Sequence, residues 1–441
     1  VTSPTEAPTV WLTTLGCAKN EVDSEKIRGM LSGAGYTTAD SPASADVVMV
    51  NTCAFIEAAR RESVDTILEL ADDKREDASL LVVGCMAQRY ESELSEALPE
   101  ADAIIGLDRY PELVDRIDEL QQWTPLTIGS TKRSHMDILY ETRRPTPNMP
   151  WAYLKVAEGC DKLCTFCAIP QFRGKQRSRH PKDIRHEAAE LVARGVSEIG
   201  LVAQDLAAFG RDTGEGDIVS LIRSISAVEG LRRLRLFYLY PREIRPALIE
   251  EMAANPRIAN YFDLSLQHSS PSLLRAMKRA GSGDAHRLLV QSIRAAAPDA
   301  SLRSSFIVGF PGETDDDVDE LAAFLSDVEL DWAGFFAYSP EEGTPAASIP
   351  DQVPEDVKAE RTRYLQALQD DITTAKAIGQ VGRRLEVLVD QIEEGQPVAR
   401  SYREAPEIDG VVLLDHGAPG EWLTAEVTGG YGTDLTAMVI A

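Results

Sequence analysis

Six cysteines carry most of the chemistry open to this 441-residue sequence, and their spacing sorts them into two sets. Cys160, Cys164 and Cys167 form a tight C-x3-C-x2-C run, whereas Cys17, Cys53 and Cys85 stand far apart. A four-iron cluster normally takes four cysteine thiolates. The tight run offers three, with no fourth cysteine nearby, so a cluster held there keeps one iron open. An open iron can chelate the amino and carboxylate groups of a small molecule, much as catalytic zinc keeps one position free. Zinc itself is the competing reading, with His180 or a distant residue as fourth ligand. The run lacks the paired C-x2-C halves usual for zinc.

The scattered set gains meaning from its surroundings. Thr9 to Leu15, Asp46 to Val50 and Leu80 to Val83 are short strand-like runs, each followed by a cysteine. Helical patterns come next, near Glu21 to Leu31, Glu57 to Leu70 and Gln88 to Leu98. Strands alternating with helices predict a parallel sheet. Ligands of such sheets bind beyond the carboxyl ends of the strands. All three cysteines sit at that edge and can converge there. A single cysteine at a strand end is most simply a small buried hydrophobe. Three at equivalent places point to a metal or an iron–sulfur cluster.

Pro145, Pro147 and Pro150 mark a boundary, after which Tyr153 to Ala157 reads as a strand leading into the tight cysteine run. Further strands are predicted at Glu198 to Val202, Leu234 to Leu239, Phe262 to Leu266, Leu302 to Val308 and Trp332 to Ala337, alternating with helices. Six strand–helix repeats predict a partial (βα) barrel, whose active site belongs at the carboxyl ends of its strands. The polar residues there are Gln204, Asp205, Tyr238, Tyr240, Gln267, His268, Tyr338 and Ser339; each alone can be a satisfied structural group. Gln204 and Asp205 are candidate cofactor-binding residues, and so is Arg173, at the start of the basic stretch Arg173 to Arg179. That stretch can meet an anionic cofactor group or partner, or simply be solvated. Asp315, Asp316 and Asp317 follow Thr314 and suit a helix start better than a metal site.

A long helix is predicted from Glu355 to Ala377, and five short strands follow between Leu385 and Ile440. They suggest a small OB-like β-barrel. Four arginines against eleven acids give residues 378–441 a net charge of −7, against the basic face of a nucleic-acid-binding barrel. The whole chain carries −26, which disfavours a general grip on phosphates and suits a basic protein partner. With 44% hydrophobic and 26% charged residues it reads as soluble and globular. No apolar run reaches the ~20 residues of a membrane helix, and the first residues lack a signal-peptide pattern. A cytoplasmic protein with reduced cysteines and no membrane contact is expected.

These residues resemble a known family. Cys160-x3-Cys164-x2-Cys167 looks like the motif of radical S-adenosylmethionine enzymes. The three strand-end cysteines before it and the small barrel after it resemble the methylthiotransferases of that superfamily. The implied architecture is an N-terminal parallel α/β domain at 8–130, a radical S-adenosylmethionine (βα)6 barrel with trailing helix at 146–377, and a TRAM barrel at 378–441. Leu15 to Glu25 (LGCAKNEVDSE) and Arg400 to Gly410 (RSYREAPEIDG) are similar to the RimO branch. Ala18 and Ser265 stand where related chains usually have proline, and neither removes a candidate ligand.

The resemblance implies two [4Fe-4S] clusters and S-adenosylmethionine. Cys160, Cys164 and Cys167 would hold the radical-generating cluster, and Cys17, Cys53 and Cys85 an auxiliary cluster that carries the transferred sulfur. It implies methylthiolation of the β-carbon of an aspartate in ribosomal protein S-12. An unactivated carbon–hydrogen bond resists acid–base chemistry at neutral pH, so the cofactor must supply a radical. Implied partners are that protein or the small ribosomal subunit, and an electron donor such as flavodoxin or ferredoxin. Two rivals remain: the same chemistry on a transfer-RNA adenosine, as in the MiaB branch, and a non-catalytic iron–sulfur electron carrier. The acidic barrel argues against dominant RNA contact.

Overall fold

The computed structural model describes residues 7–121, 140 and 142–440. The expected end of the first domain, at 130, and the last residue, 441, lie outside them. The chain divides into two compact units, Val1–Thr146 with Ala168–Gly174, and Pro147–Cys167 with Lys175–Ala441.

The first unit is built on a five-stranded parallel sheet in the order β2-β1-β3-β4-β5. Its strands are β1 (Thr9–Thr14), β2 (Thr37–Thr38), β3 (Val47–Thr52), β4 (Ser79–Gly84) and β5 (Ala103–Gly106). Every residue of β3 and β4 is buried, as expected for central strands covered on both faces. The chain runs from β1 outward to β2 and then returns to start β3 on the other side. The strand order therefore reverses between β1 and β3, where doubly wound sheets open their ligand crevice. β2 and β5, two and four residues long, are additions to the three predicted strands. The helix predicted over Gln88 to Leu98 is instead two, Cys85–Arg89 and Glu91–Ala97, interrupted at Tyr90.

The second unit contains the predicted six parallel strands. They are β6 (Trp151–Lys155), β9 (Glu198–Val202), β10 (Arg233–Leu236), β11 (Tyr261–Gln267), β12 (Ser301–Val308) and β13 (Trp332–Ala337). β6, β9 and β10 pair in one sheet, β11 to β13 in another, and parallel bridges at Leu234–Ile258 and Leu239–Leu264 join the two. A two-residue ladder, β7 (Ala157–Glu158) with β8 (Arg177–Ser178), brackets the cysteine loop. The long helix Glu355–Ile378 packs back on the barrel, with Gln369 Nε2 donating to Leu330 O and Thr373 Oγ1 to Asp331 O.

The terminal strands close a barrel: β14 (Arg384–Glu393), β15 (Gln396–Arg400), β16 (Val412–Leu414), β17 (Trp422–Tyr431) and β18 (Asp434–Val439). Leu385, Val387 and Val389 alternate into its core, the period-two pattern of a half-buried strand. The connection 401–410 lies across the amino-terminal ends of the large barrel's strands. Arg235 donates to the carbonyls of Ser401 (3.2 Å) and Tyr402 (2.8 Å), and the Tyr153 hydroxyl donates to Pro406 O (3.1 Å). The Tyr261 hydroxyl donates to Asp409 (2.6 Å), which also receives Arg303 Nε (3.2 Å). Among the described residues, no helix is long and apolar enough to cross a membrane.

Candidate functional site

The crevice between β1 and β3 gathers the scattered cysteines. Cys17 is the cap of helix Ala18–Gly33, Cys53 follows β3 directly, and Cys85 opens the helix after β4. The ends that carry them are tied to one another. Asn51 Nδ2 donates to Asn20 O (3.0 Å) and Ser24 Oγ (2.9 Å), while Asn20 Nδ2 donates to the carbonyls of Leu15 (2.9 Å) and Thr52 (3.1 Å). Two glycines allow the close approach. A Cβ on Gly16, at φ +97°, would lie 2.9 Å from Cys53 Sγ; one on Gly84, at φ +96°, would lie 2.3 Å from Asn51 Oδ1.

The thiols feel one another's charge. Burial, joined by the charge of Cys17, pushes Cys53 up to about 11. Burial pushes Cys85 up to about 12, against the pull of Arg173. Cys17 moves the other way: burial raises it, but Lys19, Arg173 and the backbone N–H groups of Asn20 and Lys19 outweigh burial and lower it. Three thiols whose charges reach one another can all ionise only if neighbouring cations offset the repulsion. Among the described residues, no group of three or more His, Cys, Asp or Glu is arranged around a single metal ion. A four-iron cluster spreads its thiolates over several metal atoms, so its ligands need not surround one ion.

The tight cysteine run forms a loop in the second unit, pinned at its middle. Thr165 N donates to Met277 O (3.1 Å), Thr165 Oγ1 to Ala276 O (2.8 Å), and Ala346 N to Thr165 O (2.9 Å). Phe166 packs against Leu273, Phe310 and Tyr338. All three cysteines are partly exposed, unlike Cys53 and Cys85. Cys160 Sγ accepts Lys162 N (3.4 Å), and Arg279 Nη1 stands 3.7 Å from Cys164 Sγ. Burial raises Cys160 to about 11. His180 cannot serve as the fourth ligand of a zinc site in this arrangement. Its Nδ1 caps helix Pro181–Ala193 by accepting Lys182 N (3.1 Å), and its Nε2 faces Glu215 (3.4 Å).

The strand-end polar residues do not all face alike. Gln204 Nε2 donates to Glu158, which is ion-paired with Lys155 (2.7 Å). Asp205 is buried and faces Lys162 at 3.3 Å. Burial raises its carboxyl despite Lys162. Tyr238 (φ 58°) and Gln267 (φ 71°) hold left-handed backbone at their strand ends, a cost tolerated mainly where function fixes the geometry. His268 is structural: Nδ1 accepts Ser270 N (3.0 Å) and Nε2 lies 3.6 Å from Glu313, which grips Gly309 N. Asp317 completes the Thr314 cap, so the acidic run is a helix start. The basic stretch splits. Lys175 and Arg177 are exposed, whereas Arg173 and Arg179 are buried. Arg173 belongs to the first unit and lies on Cys85.

Three family models match the chain in order. Residues 9–106 match "uncharacterized protein family UPF0004", 154–325 the radical SAM superfamily, and 381–440 the TRAM domain. Curated relatives match nearly end to end. The ribosomal protein uS12 methylthiotransferase RimO of Anaeromyxobacter sp. (strain Fw109-5) is 44% identical, over 98% of this chain and 93% of its own length. The RimO proteins of Moorella thermoacetica (45%, over 94% and 95%) and Streptomyces coelicolor (40%, over 98% and 97%) agree. The chain belongs to the RimO family of radical S-adenosylmethionine methylthiotransferases.

Solved structures share the fold at low identity. The radical S-adenosylmethionine methyltransferase TsrM from Kitasatospora setae, with cobalamin and a [4Fe-4S] cluster, gives a TM-score of 0.57 at 14% identity, over 77% of this chain and 74% of that one. The cobalamin-dependent radical enzyme OxsB gives 0.51 at 13%, over 82% and 56%. As a RimO-family radical enzyme, the chain uses a [4Fe-4S] cluster and S-adenosylmethionine. In this RimO-family chain the stretch Leu15 to Glu25 has visible work: Asn20, Asp23 and Ser24 tie the cysteine-bearing ends together or hold Arg173. In the sequence alone these residues carry only a resemblance and no role. The signal available was their placement in the first turns of the helix that Cys17 caps.

Proposed function

We propose that this chain methylthiolates the β-carbon of an aspartate in ribosomal protein S-12, using two [4Fe-4S] clusters, within domains spanning 8–130, 146–377 and 378–441. The observation that carries the reading is the convergence of Cys17, Cys53 and Cys85 on one sheet edge, where the strand order reverses. An electron carrier with one cluster has no use for this second thiol set.

Cys160, Cys164 and Cys167 would hold the radical cluster, and Cys17, Cys53 and Cys85 the auxiliary one. When bound, the first supplies an open iron for S-adenosylmethionine and the electron that releases a 5′-deoxyadenosyl radical, and the second supplies an open iron for the transferred sulfur. The chain's own residues do the rest. Gln204 and Asp205 bring polar groups to the strand ends beside Glu158 and Lys162, suited to the charged amino-acid end of S-adenosylmethionine. Phe166 and Thr165 fix the loop that presents the thiolates. Arg173, a candidate for an anionic cofactor group or partner from the sequence, is assigned here to the auxiliary site.

The terminal barrel supports a protein substrate over transfer RNA. Arg400 and Arg403 are buried, and Arg383 and Arg384 are left among eight acids at or near its surface. The names of the relatives point the same way. An electron donor such as flavodoxin or ferredoxin and a cytoplasmic setting complete the reading. The test replaces Cys17, Cys53 and Cys85 by alanine together. We expect anaerobically reconstituted protein to keep S-adenosylmethionine cleavage, lose about half its iron and form no methylthiolated product. Normal product or unchanged iron refutes the auxiliary cluster. Offering parent enzyme S-12 and transfer RNA side by side, read by mass spectrometry, decides the substrate.

A further inference from the structure

Arg173 is one of two buried arginines of the basic stretch, so solvation does not explain it. It follows Cys167 by six positions, yet it packs with the first unit and is 5% exposed. Its guanidinium makes four hydrogen bonds to described residues there. Nε and Nη2 both donate to Cys85 Sγ, at 3.2 and 2.9 Å; Nη2 also donates to Asn20 Oδ1 (2.6 Å) and Nη1 to Asp23 (2.9 Å). Asp23 is itself 0% exposed.

Two charged donors aimed at one sulfur are poorly used on a neutral thiol, which is a weak acceptor. On a thiolate they become charge-assisted bonds. Outer partners of this kind orient metal ligands and tune the metal. Hydrogen bonds to the sulfurs and local charge are among the factors that set the potential of an iron–sulfur cluster. The fork geometry matters as well. Arginine presents five donors in a fixed plane and keeps its charge when buried, which lysine does not reproduce. Asp23 and Asn20 hold that plane from behind.

We propose that Arg173 is a positioning and potential-setting residue of the auxiliary cluster, its charge resting on the Cys85 ligand and its orientation fixed by Asp23 and Asn20. This rests on the reading that Cys17, Cys53 and Cys85 hold a cluster. A cation at that sulfur favours the reduced, more negative cluster. Removing it makes reduction harder, and removing the opposing charge of Asp23 makes it easier.

The experiment uses the full chain carrying Cys160→Ala, Cys164→Ala and Cys167→Ala, so that one cluster remains. Iron and sulfide content is measured first, then an anaerobic redox titration is followed by electron paramagnetic resonance. Against this background Arg173→Gln, Arg173→Lys and Asp23→Asn are compared. We expect Arg173→Gln to shift the reduction equilibrium at least tenfold toward the oxidised form, about 59 mV for one electron. Asp23→Asn should shift it in the opposite direction, and Arg173→Lys by less than Arg173→Gln. A purely structural arginine would lower cluster occupancy in both charge variants without moving the potential of the fraction that assembles. Equal potentials in parent and variants, or shifts of the same sign for Arg173→Gln and Asp23→Asn, overturn the proposal. If Arg173→Gln assembles no cluster, the sign for Asp23→Asn and the smaller shift for Arg173→Lys decide it. A background protein that binds no iron cluster sinks the underlying reading and the proposal together.

Discussion

Glu198, the first residue of β9, is fully buried among three arginines, and replacing it with glutamine should loosen the terminal barrel from the large one. Its Oε1 accepts Arg235 Nε (3.1 Å) and Arg400 Nη1 (3.0 Å), and its Oε2 accepts Arg233 Nη1 (3.2 Å). Arg400 belongs to the terminal barrel and is otherwise held by Asp390. Burial alone would raise the Glu198 carboxyl; the charges of Arg400, Arg235 and Arg233 overcome it and hold it at about 2, from an ordinary 4.5. That difference corresponds to about 3 kcal/mol at neutral pH. Removing one partner of a buried pair typically costs ~3–5 kcal/mol, so the two routes agree. A loss near 3 kcal/mol should lower the melting temperature of a body this size by roughly 5 °C. The assay is anaerobic urea unfolding of the full chain at pH 7 and again near pH 3. The folded carboxyl titrates below the unfolded one. Its contribution is therefore complete above pH 4.5 and lost as pH falls toward 2, and the gap between parent and Glu198→Gln should shrink at the lower pH. Glu119→Gln, 67% exposed and paired with Arg116 on the surface, is the control and should cost under ~1 kcal/mol. If Glu198→Gln also costs less than about 1 kcal/mol at pH 7, the charges are solvated and the reasoning fails.

Two further outcomes follow from the same geometry. Gly16→Ala puts a methyl group 2.8 Å from Cys53 Cβ at φ +97°; we expect iron content to fall by about half with S-adenosylmethionine cleavage retained, and full iron content would contradict the crowding argument. Burial pushes Asp409 up to about 6 from 3.8, even beside Arg303. The native state then holds this proton where the unfolded state has released it, and the associated stability, about 3 kcal/mol, is full below pH 4 and lost as pH rises through 6. Asp409→Asn should flatten that slope in calorimetry between pH 4 and 7; an unchanged slope would place its origin elsewhere.

The clusters of function were legible because a cysteine after a short apolar run is a local pattern. Cys17, Cys53 and Cys85 needed only short apolar runs and the rule for strand ends to be placed on one edge. β2 and β5 were not legible, since two or four residues show no period. Tyr90 gave no breaker signal where the helix divides. Arg173 was flagged as basic, but charge along a chain says nothing of which body a side chain enters. Arg400, Arg403 and Asp409 were counted as surface charge of the small barrel, whereas all three side chains are buried against the large one. Their burial depends on contacts between segments 72 to 202 residues apart, beyond the reach of any sequence window.

The connection 401–410 works as a cork. Arg235, Tyr153, Tyr261 and Arg303, spread over four parallel strands, all spend hydrogen bonds on it. Cutting the chain after the long helix would strip partners from four polar side chains at once, three of them buried. The small barrel, though it has its own core, is thus no detachable reader that can be grafted from one branch to another; a chimera would have to carry the cork and the floor it seals as a matched set.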